Sequence, residues 1–161
     1  MTRLLLLGLK KRGFGKGKKN GFGGKVERGE TIEQAARREL KEEANITANF
    51  LEKRGIIYFK FEEDPVIMDV HLYVTSDFTG QVTETDEMKP EWYDIDSIPY
   101  DQMWPDDRIW NPWLFAGKSF VVRFDFKADQ ETITGYKYKF VPWGEMSQMR
   151  DSYNAFALLQ E

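Results

Sequence analysis

The chain has 161 residues, of which 41% are apolar, 31% charged and 15% aromatic, the make-up of one water-soluble globular domain. Its 23 basic and 27 acidic residues leave a net charge of −4, which disfavours a uniformly basic nucleic-acid binder. It has no Cys and one His, His71, which excludes a disulfide scaffold, thiol catalysis, Cys-based zinc and a multi-His metal site. Acid–base chemistry must therefore rest mainly on carboxylates, Lys or Tyr.

The first apolar run, Leu4–Leu9, is too short for a signal sequence or a membrane span and meets Lys10, Lys11 and Arg12 at once. It reads as a buried strand of an intracellular protein. Residues 10–25 then hold seven cations, six Gly and no acid, while residues 27–43 hold six Glu. A basic, glycine-rich loop thus runs into an acidic segment. That segment, Thr31–Ala44, reads as a helix opened by a capping-box pattern of Thr31 and Gln34. Arg54–Phe61 reads as a strand with Ile57, Phe59 and Phe61 on one face and Tyr58 and Lys60 on the other. Glu62–Pro65 is a turn. Met68–Val74 alternates again, with Asp69, half-exposed His71 and Tyr73 opposite the apolar set. Glu91–Tyr93, Ser119–Phe126 and Glu131–Phe140 are further strands. Trp104–Ala116 contains a short helix. Tyr153–Leu159 reads either as a short helix covering a sheet edge or as part of a disordered tail. The pattern is α+β, in a mixed α/β/α arrangement.

On a helical wheel at roughly 100° per residue, Ile32, Ala35 and Ala36 mark the inward face of the acidic helix. Glu39 and Glu43 fall in the middle of that face and Glu42 on its edge. Glu39 has its like-charged neighbours at i+3 and i+4, where they repel. A hard divalent cation such as Mg²⁺ repairs the repulsion and accepts oxygen ligands. The alternative is a solvated acidic helix end paired with Arg38 or Lys41. Upstream, Asn20–Lys25 offers close-approaching backbone, N–H groups and a cation. It fits neither a Walker A loop nor a dinucleotide-binding fingerprint. Basic loop and carboxylates together suggest a metal–phosphate substrate.

From Gly24 the sequence resembles the Nudix box, G-x5-E-x7-R-E-U-x-E-E-x-G-U, with U aliphatic. Gly24, Glu30, Arg38, Glu39, Leu40, Glu42, Glu43 and Ile46 match, which is eight of nine positions. The ninth, Asn45, replaces Gly with the next-best residue for a left-handed helix cap. The resemblance implies the Nudix fold, a mixed sheet sandwiched between helices, spanning residues 1–141 with a tail at 142–161. It implies a further apolar strand ahead of Leu4, where here Met1-Thr2-Arg3 stand. It also implies hydrolysis of a nucleoside diphosphate linked to a further group. Glu39, Glu42 and Glu43 would bind Mg²⁺, with Mn²⁺ as a substitute, and Arg38 would orient them. Glu43 or Glu42 would act as base, and Glu30 would be structural.

KKRGFG, NGFGGKV, MDVH, DEM-P and MWPDD resemble the animal MutT-type branch of the family, which acts on oxidised purine nucleoside triphosphates. That resemblance implies a base site of Phe14, Asn20, Phe59, Phe61, Met68, Trp104, Pro105, Asp106, Asp107 and Trp110. Lys10, Phe22, Gly23, Gly24 and Lys25 would meet the nucleotide. Gly23 and Glu87 would complete the metal set. It also implies a monomeric, cytoplasmic enzyme drawing on cytoplasmic, nuclear or mitochondrial nucleotide pools, with a small-molecule nucleotide as partner and no membrane or stable nucleic-acid partner. The residue chemistry is compatible. Trp104 and Trp110 can wall a flat base, and a shared proton on Asp106–Asp107 can donate to it. The alternative readings are plain core for the aromatics taken on their own and a helix cap after Pro105 for the Asp pair. A different Nudix substrate, a nucleotide-binding module without turnover, and nucleic-acid binding by residues 10–25 are the competing functions.

Overall fold

The computed structural model describes residues 2–149 and 152–160 of the chain. Two compact units emerge, each built from two stretches of chain: Met1–Leu51 with Thr75–Trp104, and Glu52–Val74 with Pro105–Glu161.

In the first unit, β1 (Leu4–Lys10) pairs antiparallel with β2 (Lys19–Asn20) and with β7 (Met88–Asp94). A second, two-stranded sheet joins β3 (Ile46–Ala48) to β6 (Phe78–Gly80). The expected burial of the first strand holds only at its centre: Leu7 is buried, whereas Leu4 is 56% exposed. Strand β7 extends beyond the expected Glu91–Tyr93 because all seven β1 residues find partners on it.

Helix α1 (Ile32–Ala44) follows the loop. Its capping box forms as expected: the Gln34 N–H donates to Thr31 Oγ1, and the Thr31 N–H donates to Gln34 Oε1. Asn45 ends the helix in the left-handed region, with φ 61°. Its N–H returns to the Lys41 carbonyl. Its side-chain amide donates to the carbonyl of Gln81 and to Thr83 Oγ1, so the side chain earns its place beyond tolerating the turn.

The second unit is a four-stranded mixed sheet in the order β5-β4-β8-β9: β5 (Ile67–Val74), β4 (Glu52–Phe61), β8 (Ser119–Phe126) and β9 (Ile133–Val141). β4 and β8 run parallel and the outer pairs antiparallel. Both faces of β4 are apolar and both are covered. Ile56 and Tyr58 pack with Val121, Met146, Ala155 and Leu159 beneath α3 (Trp143–Met146) and α4 (Ser152–Ala157). Ile57 and Phe61 pack on the other face with Phe120, Val122, Phe124 and Leu114 of α2 (Asp107–Phe115). This unit is by itself a mixed sheet between helices, as expected of the fold.

Three expectations change here. The tail, of which Arg150, Asp151 and Glu161 lie outside the described residues, is helical and covers a sheet face rather than an edge. Strand β9 starts at Ile133 because Asp129 Oδ1 accepts the N–H groups of Glu131 and Thr132 and holds that stretch in a turn. His71 is not half-exposed: its side chain is 4% accessible. It sits opposite Ile56, on the face that the tail helices cover. Burial and the nearby Lys53 ammonium hold it below the usual imidazole range, with Asp69 Oδ2 at 3.1 Å from Nε2.

Helix α2 is fixed from below. The bulge in β4 leaves Arg54 as the extra residue. Its guanidinium donates to the carbonyls of Leu114, at 3.2 Å, and Lys118, at 2.8 Å, at the helix C-terminus. A cation there also complements the helix dipole.

Candidate functional site

Three carboxylates converge in the first unit. One oxygen each of Glu39, Glu43 and Glu87 lies within 4.8 Å of the others. Glu39 and Glu43 are one turn apart on α1, and Glu87 precedes β7. Glu43 is 1% exposed. Desolvation raises its carboxyl above the usual range, against the pull of the Gly23 N–H and of Lys10; Glu39 and Glu87 push it further up. The Gly23 N–H donates to Glu43 Oε1 at 2.7 Å. Lys10 Nζ stands 3.7 Å from Glu43 Oε2. Glu42 lies outside this group. Its carboxylate is exposed and bonds Arg38 at 3.2 Å, so the wheel's inward edge is in fact solvent.

These residues suit a hard divalent cation. Oxygen is the donor atom throughout, and a buried carboxylate beside two others lacks enough positive charge. The loop passes close to the group as well: a Cβ on Gly24 would meet the Glu39 carboxylate and push it from its place beside Arg38.

Arg38 ties the acidic helix to its loop. Its guanidinium donates to Glu30 at 2.6 and 3.1 Å, to Glu39 at 2.8 Å and to the Lys25 carbonyl at 3.1 Å. The Arg38 bonds hold Glu30 below the usual carboxylate range, which supports the structural reading of Glu30. Lys cannot reproduce a fork that reaches five acceptor oxygens, that of Glu42 included. Arg38→Lys is therefore expected to weaken Mn²⁺ binding about 10- to 100-fold, the effect of losing an outer-shell orienting group. Isothermal titration with Mn²⁺ reads this directly, and unchanged affinity would refute it.

The residues assigned to the base divide between the units. In the first, Phe14 is 62% exposed and stacks on Trp104, with centroids 5.2 Å apart. Lys18 Nζ lies 4.8 Å from the Trp104 ring centroid. Asn20 is exposed and accepts the Gly21 N–H. Phe22 lies against Gly8, where a Cβ would press on its ring, and Lys25 is exposed.

In the second unit, Phe61 is core and packs on Phe126, while Phe59 is partly buried against Phe124 and Phe126. For Phe61 the plain-core reading holds. Met68 stands 42% exposed on β5, and Pro105 is half-buried. Asp106 and Asp107 are both buried. Asp106 occupies the N-cap position of α2 but makes no side-chain capping bond. Instead the Trp110 indole N–H donates to Asp106 Oδ2 at 2.9 Å. Its other oxygen, Oδ1, is buried and has no hydrogen bond among the described residues. Burial pushes the Asp106 carboxyl up to about 6, with the Trp110 bond pulling it down.

Sequence reasoning missed two features here. The Arg12 guanidinium bonds Glu87 Oε1 at 3.0 Å, and Lys10, expected to meet the nucleotide, faces Glu43 and Glu87. The dense cations of residues 10–12 were the available signal, but it carried no pairing.

The chain is similar to several known proteins. The profile of the NUDIX domain matches residues 2–114. The chain is 54% identical to an oxidized purine nucleoside triphosphate hydrolase of Danio rerio over 123 residues, covering 76% of this chain and 79% of that one. It is 48% identical to the Mus musculus protein of the same name over 135 residues, covering 84% and 86%. The fold is similar to that of a MutT protein from Bacillus halodurans, with a TM-score of 0.72 at 24% identity over 86% of this chain and 98% of that one. It is also similar to that of a MutT NUDIX hydrolase from Burkholderia pseudomallei, with a TM-score of 0.54 at 26% identity over 60% and 77%. Among the described residues no helix is long and apolar enough to cross a membrane. By box, fold and relatives, the chain belongs to the Nudix domain family.

Proposed function

We propose that this protein is a Mg²⁺-dependent hydrolase that converts oxidised purine nucleoside triphosphates to the monophosphate and pyrophosphate. Glu39, Glu43 and Glu87 would hold the ion, joined by the Gly23 carbonyl, with Arg38 as their orienting residue and Glu42 left on the solvent side of Arg38. When bound, the ion neutralises phosphate charge and makes the attacking water more acidic. Glu43 would take the water's proton. Oxygen of that water bonds to phosphorus as the bond to the leaving pyrophosphate breaks. Lys10 and Lys25 offer positive charge to the phosphates.

The observation that carries the base preference is the Asp106 carboxyl. One oxygen is fixed by Trp110, and the other is buried without a bond among the described residues. A carboxyl raised to about 6 costs little to protonate near neutral pH, so a base that needs a donor there can be met by its acid form. Asp107 beside it is equally buried and can trade donor and acceptor roles with it, which suits both 8-oxo-guanine and 2-hydroxy-adenine. The relatives named for oxidised purine substrates support this reading. A monomeric state and a cytoplasmic setting belong to the same proposal.

The test is steady-state hydrolysis of 8-oxo-dGTP, 2-hydroxy-dATP and dGTP with Mg²⁺, resolving products by chromatography. Monophosphate and pyrophosphate, with strong preference for the oxidised bases, is the expected result. Turnover without base preference would keep the phosphate chemistry and overturn the base assignment. Nucleotide binding without turnover would overturn the reaction itself.

A further inference from the structure

Lys10 closes β1, and its ammonium lies 3.7 Å from Glu43 Oε2 and 3.9 Å from Glu87 Oε2. Neither distance is that of a tight hydrogen bond. Both fit a point charge set between two acceptors. Arg38 neutralises Glu39, and Arg12 takes the other oxygen of Glu87. Among the described residues, Lys10 is the one cation paired with Glu43, the most buried carboxylate of the group.

This arrangement stands where a divalent ion would. A divalent ion bound to these carboxylates would repel an ammonium held this close to them. A lysine stem with four rotatable carbons can leave without disturbing the backbone. A nucleotide triphosphate brings negative charge that an expelled ammonium can pair with instead.

We infer that Lys10 is a place-holding counter-ion, paired with Glu43 and Glu87 in the metal-free protein and passed to the nucleotide's phosphates when the divalent ion enters. This rests on the metal reading proposed above and deepens it. Lys10 is then a positioning residue with two stations. Metal binding frees it for phosphate, and phosphate draws it off the carboxylates. By thermodynamic reciprocity each ligand must tighten the other.

The test is Mn²⁺ titration followed by electron paramagnetic resonance of the unbound ion. It is run on the wild type and Lys10→Met, with and without α,β-methylene-8-oxo-dGTP. Without nucleotide, Lys10→Met is expected to bind Mn²⁺ about tenfold more tightly, the lower end of what one opposite charge at this range does to a carboxylate. With the nucleotide present the order reverses, and the variant binds Mn²⁺ more weakly than the wild type. Lys10→Arg retains the charge and is expected to follow the wild type in sign under both conditions.

Equal or weaker Mn²⁺ affinity of Lys10→Met without nucleotide overturns the inference. So does tighter binding that persists unchanged with nucleotide, since a fixed repulsive charge would do that. In either case Mn²⁺ still binds the wild type and Glu43→Gln loses it, so the metal reading stands. Absence of Mn²⁺ binding in every variant overturns both.

Discussion

Glu43→Gln is expected to lower kcat about a thousandfold, within the range found for a positioned acid–base group. The same substitution is expected to raise the thermal stability of the metal-free protein. The two effects share one cause. The Glu43 carboxyl is buried among like charges, and desolvation raises it above the usual carboxylate range. Ionising it in the folded state therefore opposes folding. The penalty is absent below the unfolded carboxylate range, grows as pH rises from there to the raised folded value, and is constant above it. Gln keeps the shape, can still accept the Gly23 N–H, and carries no charge. Its advantage should appear at pH 7.5 and vanish near pH 4. Differential scanning calorimetry in a chelator at the two pH values reads it. A variant destabilised equally at both would mean that Glu43 is held by packing and not strained by charge. Divalent metal should reverse the ranking, because the wild type gains from binding and the variant does not.

Asp106→Asn should change which oxidised base is preferred. Trp110 already donates to one carboxylate oxygen, so an Asn must present its own oxygen there and its NH₂ at the other position. The substitution freezes a donor at the position where the acid can exchange a proton. The ratio of kcat/KM for 8-oxo-dGTP to that for 2-hydroxy-dATP is expected to shift about 100-fold, the scale of one buried hydrogen bond gained or lost. The sign with pH follows from the raised carboxyl. The protonated, donating form dominates in the free wild type below about 6 and is lost above it. For the base that requires a donor, kcat/KM should fall as pH rises through that value in the wild type and stay flat in Asp106→Asn. Equal activity of wild type and variant on both bases at every pH would end the proton-sharing account.

Much of the phosphate end was legible because it is local. Thr31, Gln34, Glu39, Glu43 and Asn45 lie on one helix, whose geometry follows from spacing alone, and the structure keeps their predicted places. Glu42 was misplaced because the wheel gives direction and not cover, and the edge of that face meets solvent. Glu87 and Lys10 reach Glu43 from distant parts of the chain. No periodicity records such a meeting, and Glu87 was found only through resemblance. The second unit shows the same division. Alternation placed His71 on the correct side of its strand. The tail helices that bury that side lie more than seventy residues further on, so the exposure was misjudged. The bulge that aims Arg54 at the end of α2 left no signal in composition.

The parallel pairing of β4 with β8 also bears on how the chain matures. Gly55 pairs with Phe120 and Phe61 with Phe126. At about 5–20 residues per second, β4 leaves the ribosome on the order of seconds before its central partner is made. Until then it can pair with β5 alone, and both of its faces, Ile56 and Tyr58 on one side and Ile57, Phe59 and Phe61 on the other, lack the strand and helices that later cover them. Such a hairpin is a natural client for a holding chaperone. Pausing translation between residues 61 and 119 should lengthen chaperone occupancy of the nascent chain, and release of the full chain, which frees β9 and the tail helices to pack, should end it.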